Sequence, residues 1–315
     1  MIQLVTGYFS RLFQAFGAGW TRFWFTPGDA RTVSAIRLLT GLVAVYLHAT
    51  LAFDLLAFFG PNGLIPAAEI APLEGDTFSY LNYLTTPAEL WLVHVIGLAV
   101  LVLFTAGFKT RITSILALVV FLSDIHRAPM ITGRAEMVIA MLLCYLCLAP
   151  CGRYYSLDAL FARKRSKTLP QQPEELSTTA IISTRLIQLH LVLLVAMMAL
   201  SQLAGDVWWD GLGVWWLITR EQSRLVNLSW LRSSPQFLDF WTHAIVGFEL
   251  CFALLIWIPL ARPLLLAAGA VIWTSLALVT GDITFALSLM IASLAFVSPS
   301  VLGACCGNAA QPARA

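Results

Sequence analysis

Apolar residues run through this chain in long unbroken stretches separated by short polar breaks. A helix needs about 20 residues to cross about 30 Å of hydrocarbon. Stretches near 33–54, 88–107, 110–127, 133–150, 182–204, 238–259, 263–281 and 283–301 reach or approach that length. The pattern predicts an all-α fold, a polytopic transmembrane helical bundle of about eight spans. The third and fourth stretches are short, and the last two nearly abut. Residues 1–30 differ: Arg11 and Arg22 stand among aromatic residues, as in an amphipathic helix lying in the membrane interface. The bundle is then expected over 31–302, with a basic loop at 151–181 inside it and a short tail at 303–315.

Composition agrees with the pattern. The chain is 59% hydrophobic and 11% charged, against about 25% charged residues in soluble domains. It cannot present a water-soluble surface, so membrane lipid is its expected surrounding. The net charge of +2 is too small to suggest nucleic acid, so none is expected as a partner; no protein partner is indicated. Cys144 and Cys147 have CxxC spacing inside an apolar run, as two buried free thiols or as a redox or metal pair. No second CxxC or neighbouring histidine completes a zinc site, so no metal is expected.

Charge also orients the spans. Basic residues concentrate on the cytoplasmic side of membrane proteins. If the spans alternate, Arg11, Arg22, Arg31, Lys109, Arg111, Arg153, Arg163, Lys164, Arg165, Lys167 and Arg262 all fall on one side. Asp54, Glu69, Glu74, Asp76, Glu89, Asp206, Asp210, Glu221 and Asp239 fall on the other. Both termini are therefore expected in the cytoplasm, and a bacterial inner membrane fits this arrangement. The segment 206–232 is too polar to span. With Trp208, Trp209, Trp215, Trp216 and Trp230 it should lie at the outer interface, as a short helix or re-entrant piece.

Ionisable and polar groups within apolar stretches are the candidates for chemistry. Glu249 lies mid-span and shares a helical face with Thr242; His243 is about 120° away at 100° per residue. A carboxyl in hydrocarbon is expected to be protonated or paired, as an interhelical bond or as a functional group. His190 and Ser201 share a face of the fifth span, about 16 Å apart by helix rise, with Gln188 and Gln202 on similar faces. Such a stripe implies packing against other helices through hydrogen bonds. Arg37 can snorkel, pair with a carboxylate or meet a helix C-terminus. Asp124, His126, Arg127, Arg134 and Glu136 surround a turn with Pro129 and Gly133; opposite Gln202 and Asp206 they could line an outward-facing cavity. His48 and His94 read as solitary structural histidines.

Several stretches, in order, resemble the transmembrane domain shared with vitamin-K-dependent gamma-carboxylases, called HTTM. They are AIRLLTGL, DLLAFFGPNGLIP, GFKTR, ITGRAEM, APCGRYYSLDALF, RLIQLHLVLLVAMMALSQLAGDVWWDG and the pattern FE…P…ARP around Glu249. Together they cover about residues 20–300. The resemblance implies a bundle open to lipid and to the non-cytoplasmic side, with a reduced quinone of the vitamin K kind as cofactor. In that family a lysine is thought to deprotonate the hydroquinone, which is then oxygenated to a base that removes a glutamate γ-proton before CO₂ adds. Here the lysine position holds Gln202, and an amide is no base. Trp273 stands where the family often carries a histidine, and another family histidine aligns near Arg134 or Ala135. The carboxylase's large lumenal domain is not expected in this chain.

These readings lead to an HTTM-like membrane protein that binds a lipid-soluble ligand, such as a quinone or lipid, and does not carboxylate glutamate. A membrane enzyme with another acid–base set is the alternative, with Gln202, Glu249, His190, Arg134 and Glu136 as its candidate groups. Ser201, Asp206, Trp208, Trp209, Trp273, His243 and Arg37 are the expected ligand contacts. A non-enzymatic transporter or assembly subunit is a third reading; no internal repeat or broken helix supports it.

Overall fold

The computed structural model describes residues 2–60, 63–64, 78–165, 176–219, 226 and 228–305. Glu69, Glu74, Asp76, Lys167, Arg220, Glu221 and Arg224 lie outside the described residues. The described chain is helical, with no strand; a single backbone bridge joins Gly28 to Ser177. In order the helices are α1 (Ile2–Phe25), α2 (Arg31–Thr50), α3 (Leu55–Phe59), α4 (Pro87–Ala106), α5 (Thr110–Arg127), α6 (Arg134–Leu148), α7 (Leu157–Arg165), α8 (Thr178–Leu203), α9 (Asp206–Trp209), α10 (Gly213–Ile218), α11 (Pro235–Leu255), α12 (Arg262–Thr280), α13 (Ile283–Ser293) and α14 (Pro299–Cys305). Five stretches are long and apolar enough to cross a membrane: 31–59, α4, α8, α11 and α12. The shorter helices α5, α6 and α13 occupy the other three apolar stretches of the sequence.

Local chemistry sets the helix ends. Thr86 accepts the Glu89 N–H while the Glu89 carboxylate accepts the Thr85 and Thr86 N–H groups, and Pro87 opens the first turn of α4. Gly107, at φ +74°, ends that helix in the left-handed conformation glycine tolerates. Helix α6 stops at Leu148, two residues before the expected end, because Pro150 holds Ala149 extended. Helix α13 is shorter than its apolar run. Its last turn tightens to a 3₁₀ turn at Leu294–Phe296, and Val297 is extended ahead of Pro299.

The bundle packs α2 along α4, α8 along α11, α5 along α6 and α12 along α13, with α6 also against α8 and α13. Its core is apolar, and large side chains such as Phe104, Phe252, Leu142 and Leu143 are fully buried in it. Gly41 lets α2 approach α4 closely, since a Cβ there would lie 2.4 Å from the Thr105 hydroxyl. Helix α1 meets the bundle near its C-terminal end, where Arg185 sits over the Phe23 ring at 4.4 Å. Most of its aromatic residues, including Tyr8, Phe13, Phe16 and Trp20, are exposed.

Three of the sequence motifs meet at one end of the bundle. Arg37 of α2 is fully buried and donates to the backbone oxygens of Phe104, Thr105, Cys151 and Tyr155. Asp158 of α7 accepts the Lys109 and Thr110 N–H groups at 2.8 and 2.9 Å, which caps α5. Gly107 is squeezed between Ser156 and Arg37. Burial pushes the Cys151 thiol up to about 12, so it stays a thiol beside this junction. Cys144, Cys147, Cys151 and Cys251 are all free, and Cys144 is exposed instead of buried because it faces out of α6.

Candidate functional site

The opposite end of the bundle carries the first candidate site. The WWDG stretch leaves α8 through α9 and turns at Gly211, whose φ of +70° and contact with Asp239 require glycine. Thr242 of α11 donates to the Gly211 oxygen at 3.0 Å and accepts the Val214 N–H at 3.2 Å. One buried hydroxyl therefore fixes this loop onto α11. Two turns further along the same face is Glu249, fully buried in the bundle.

A cavity of about 90 Å³ lies beside this region, between α8, α12, α13 and the start of α6. Gln202, Trp208, Trp273, Met198, Arg134 and Asp282 are among its lining residues. Trp273 is held by edge contacts with Phe248 and Phe252, its ring 5.9 and 5.6 Å from theirs. At the border, Arg134 pairs with Asp282 at 3.1 Å and lies over the Phe285 ring at 4.6 Å.

Buried polar atoms in a folded protein are normally hydrogen-bonded. Here Gln202 Oε1, Trp273 Nε1 and both carboxylate oxygens of Glu249 are buried without a partner. The Gln202 amide is close enough to act on the Glu249 carboxyl, yet no bond of standard geometry joins them. The region thus combines an acceptor, a donor and a carboxyl that lack partners, on largely apolar walls. An amide and an indole cannot exchange protons near neutral pH, so Gln202 and Trp273 can bind but not act as acid or base.

The other candidate residues are distributed more widely. Trp208 is half-buried at the cavity, whereas Trp209 is exposed and donates to the Leu203 oxygen. Ser201 and Asp206 are exposed. His243 is exposed and pairs with Asp239, one helical turn back. His190 is exposed with Tyr145 at 2.9 Å, so it and Ser201 face out of the bundle while Gln188 faces in. Arg37 is at the far end, wholly engaged with carbonyls. Arg134 and Glu136 line different cavities, one on each side of α6. Asp282 was not singled out from sequence; an acid immediately after a Gly at the end of one span and before the next was its only signal.

Among the described residues, no cluster of His, Cys, Asp and Glu is arranged to hold a metal ion. No protein-family model matches the chain, and neither a curated protein nor a solved structure matches it.

Proposed function

We propose that this chain is an eight-span membrane protein of the HTTM kind that binds the polar head of a quinone-class lipid in the cavity at Gln202 and Trp273. The observation that carries the reading is that two residues lining this cavity each hold a buried polar atom without a partner: Gln202 Oε1, an acceptor, and Trp273 Nε1, a donor. A quinol head is complementary to both, because its hydroxyl donates to Gln202 Oε1 and its oxygen accepts from Trp273 Nε1. An unsatisfied buried group costs about 1–3 kcal/mol, and a ligand that satisfies it recovers part of that. The volume of about 90 Å³ is below the roughly 150 Å³ of a cavity that accepts benzene. The site therefore takes one edge of a ring, and the rest of the ligand stays among α12, α13 and lipid. In this reading Gln202 turns its N–H groups to Glu249 and its oxygen to the ligand.

The reading leaves out glutamate carboxylation, because Gln202 stands where the resemblance would put the lysine base. It places both termini in the cytoplasm and the cavity toward the non-cytoplasmic face. The probe is menadiol, the reduced form of menadione, titrated without oxygen into the purified protein in nanodiscs and followed by quenching of tryptophan fluorescence. Gln202→Leu and Trp273→Phe are each expected to weaken binding about five- to tenfold, which is about 1–1.4 kcal/mol for one hydrogen bond. Equal affinity in the wild type and both variants would overturn the proposal. Vitamin-K-dependent CO₂ incorporation into a glutamyl peptide is expected to be absent; robust incorporation that survives Gln202→Ala would overturn the exclusion of carboxylation.

A further inference from the structure

A second polar centre lies on the other side of α6, apart from the Gln202 cavity. His48 of α2 is 2% exposed, and its Nδ1 is 2.6 Å from Asp124 Oδ2 on α5. Its Nε2 is 3.1 Å from the backbone oxygen of His94 on α4. The His94 ring stacks on the His48 ring, with centroids 4.3 Å apart and planes within 19°. Gly97 makes room for this arrangement, because a Cβ there would lie 3.0 Å from His48 Nε2. The centre joins three helices through groups that sequence separates by 46 and 76 positions.

The hydrogen-bond inventory of this centre fixes its proton content. A carbonyl oxygen only accepts, so His48 Nε2 must carry a proton. The short contact between Nδ1 and a carboxylate oxygen needs a second proton between them, whichever atom holds it. The pair therefore carries two protons and no net charge, as imidazolium with carboxylate or as imidazole with carboxylic acid. A neutral pair is what a low-dielectric interior tolerates, whereas a lone charge there is costly.

A cavity of about 30 Å³ adjoins the pair and is lined by His48, Asp124, Thr132 and Glu136, with apolar residues completing the wall. That volume exceeds the roughly 10–15 Å³ a single water needs, and the lining supplies the two to four polar partners a buried water uses. Glu136 is half-buried in the first turn of α6, where its carboxylate accepts the Gly133 N–H at 3.0 Å. Other ionisable groups surround the centre, among them the half-buried His126 on α5, which is engaged with the Phe78 oxygen at 2.9 Å. Tyr80 covers it from the loop, and its phenol is pushed up by burial and by Asp124. Arg127 is buried one turn beyond Asp124 and reaches the Phe59 oxygen at 3.5 Å. Glu89 on α4 and Asp54 ahead of α3 are exposed.

We propose that His48 and Asp124 form a proton-binding site inside the bundle, and that Glu136, through one water in the adjoining cavity, exchanges its proton with the end of the bundle where α6 begins. On release, the shared proton passes to the water and the Glu136 carboxylate takes one from it. The pair then bears one negative charge, as Asp124 carboxylate beside a His48 ring protonated on Nε2 alone. Uptake reverses these steps. No oxidant, reductant or second substrate is involved, and the site does not depend on the ligand proposed at Gln202.

The test is ¹⁵N NMR of histidine-labelled protein in lipid bilayers, with the His48 signals assigned by their loss in His48→Gln. In the wild type, Nδ1 is expected to move in one step as pH rises, while the proton on Nε2 is retained. Asp124→Asn is expected to abolish the step, leaving a neutral ring at every pH. Glu136→Gln is expected to keep the spectrum and slow proton exchange at Nδ1 on the order of a hundredfold, the lower end of what one positioned proton carrier contributes. A wild-type Nδ1 signal that stays flat wherever the protein is folded would overturn the proton site. An unchanged exchange rate in Glu136→Gln would overturn the route. If Asp124→Asn fails to fold, the wild-type titration and Glu136→Gln still decide the matter.

Discussion

Arg37 directs its guanidinium at four backbone oxygens, two at the end of α4 and two in the segment between α6 and α7. A fixed planar fork of donors suits this task, and a lysine ammonium cannot reproduce it. Arg37→Lys keeps the charge but is expected to cost about 2–3 kcal/mol, at about 1 kcal/mol for each bond lost. Thermal unfolding in detergent reads this as a lower midpoint; a midpoint equal to the wild type would contradict it. Residues of this kind show the limit of what a sequence reveals. That Arg37 meets a helix C-terminus was one of three readings open from sequence. Its partners lie 67 to 118 positions away, so no spacing rule selects them. His48 and His94 read as solitary for the same reason, since the bonds of His48 run to α5 and α4. Local pairings, by contrast, were readable: Thr242 and Glu249 do share a buried face, because helical periodicity alone determines it.

At the scale of elements, the junction of α4, α5 and α7 sets the register of the bundle's first half. Asp158 caps α5 from 48 residues away, and the α7 backbone bonds in turn to Gly107. Gly107→Ala puts a Cβ 2.3 Å from that of Ser156, at a φ that disfavours side chains. Gly247 of α11 has nothing within 4 Å of the same construction. Gly107→Ala is therefore expected to lower folded yield severalfold. Gly247→Ala is expected to hold or raise stability by up to about 1 kcal/mol, the helix-propensity gain. Size-exclusion chromatography of both variants checks the contrast; equal yields would mean the junction tolerates slack. Helix existence followed from apolar run length, whereas ends shifted by a few residues wherever a proline or a capping side chain intervened, as at Pro150 and Ser177.

For the whole molecule, helix alternation gathers Arg31, Lys109, Arg111, Arg153, Arg163, Lys164, Arg165 and Arg262 at the end that holds the Arg37 junction. Asp206, Asp210, Asp239 and Asp282 gather at the end that holds the cavities. Under the proposed topology, a Lys164→Cys variant of a cysteine-free chain is labelled by an impermeant maleimide only from the cytoplasmic side, and Asp210→Cys only from the other. Labelling of both from one side would overturn the alternation of the spans, and the swapped pattern would mean the reverse topology. Within that frame the first turn of α6 is a septum. Arg134 faces one compartment and Glu136 the other, two residues apart on the same helix. A helix is about 10 Å across, and at an effective dielectric near 20 a unit charge acts over that distance with on the order of 1–2 kcal/mol. Electrically the wall is thin: a proton gained on one side is felt on the other without any atom having to cross.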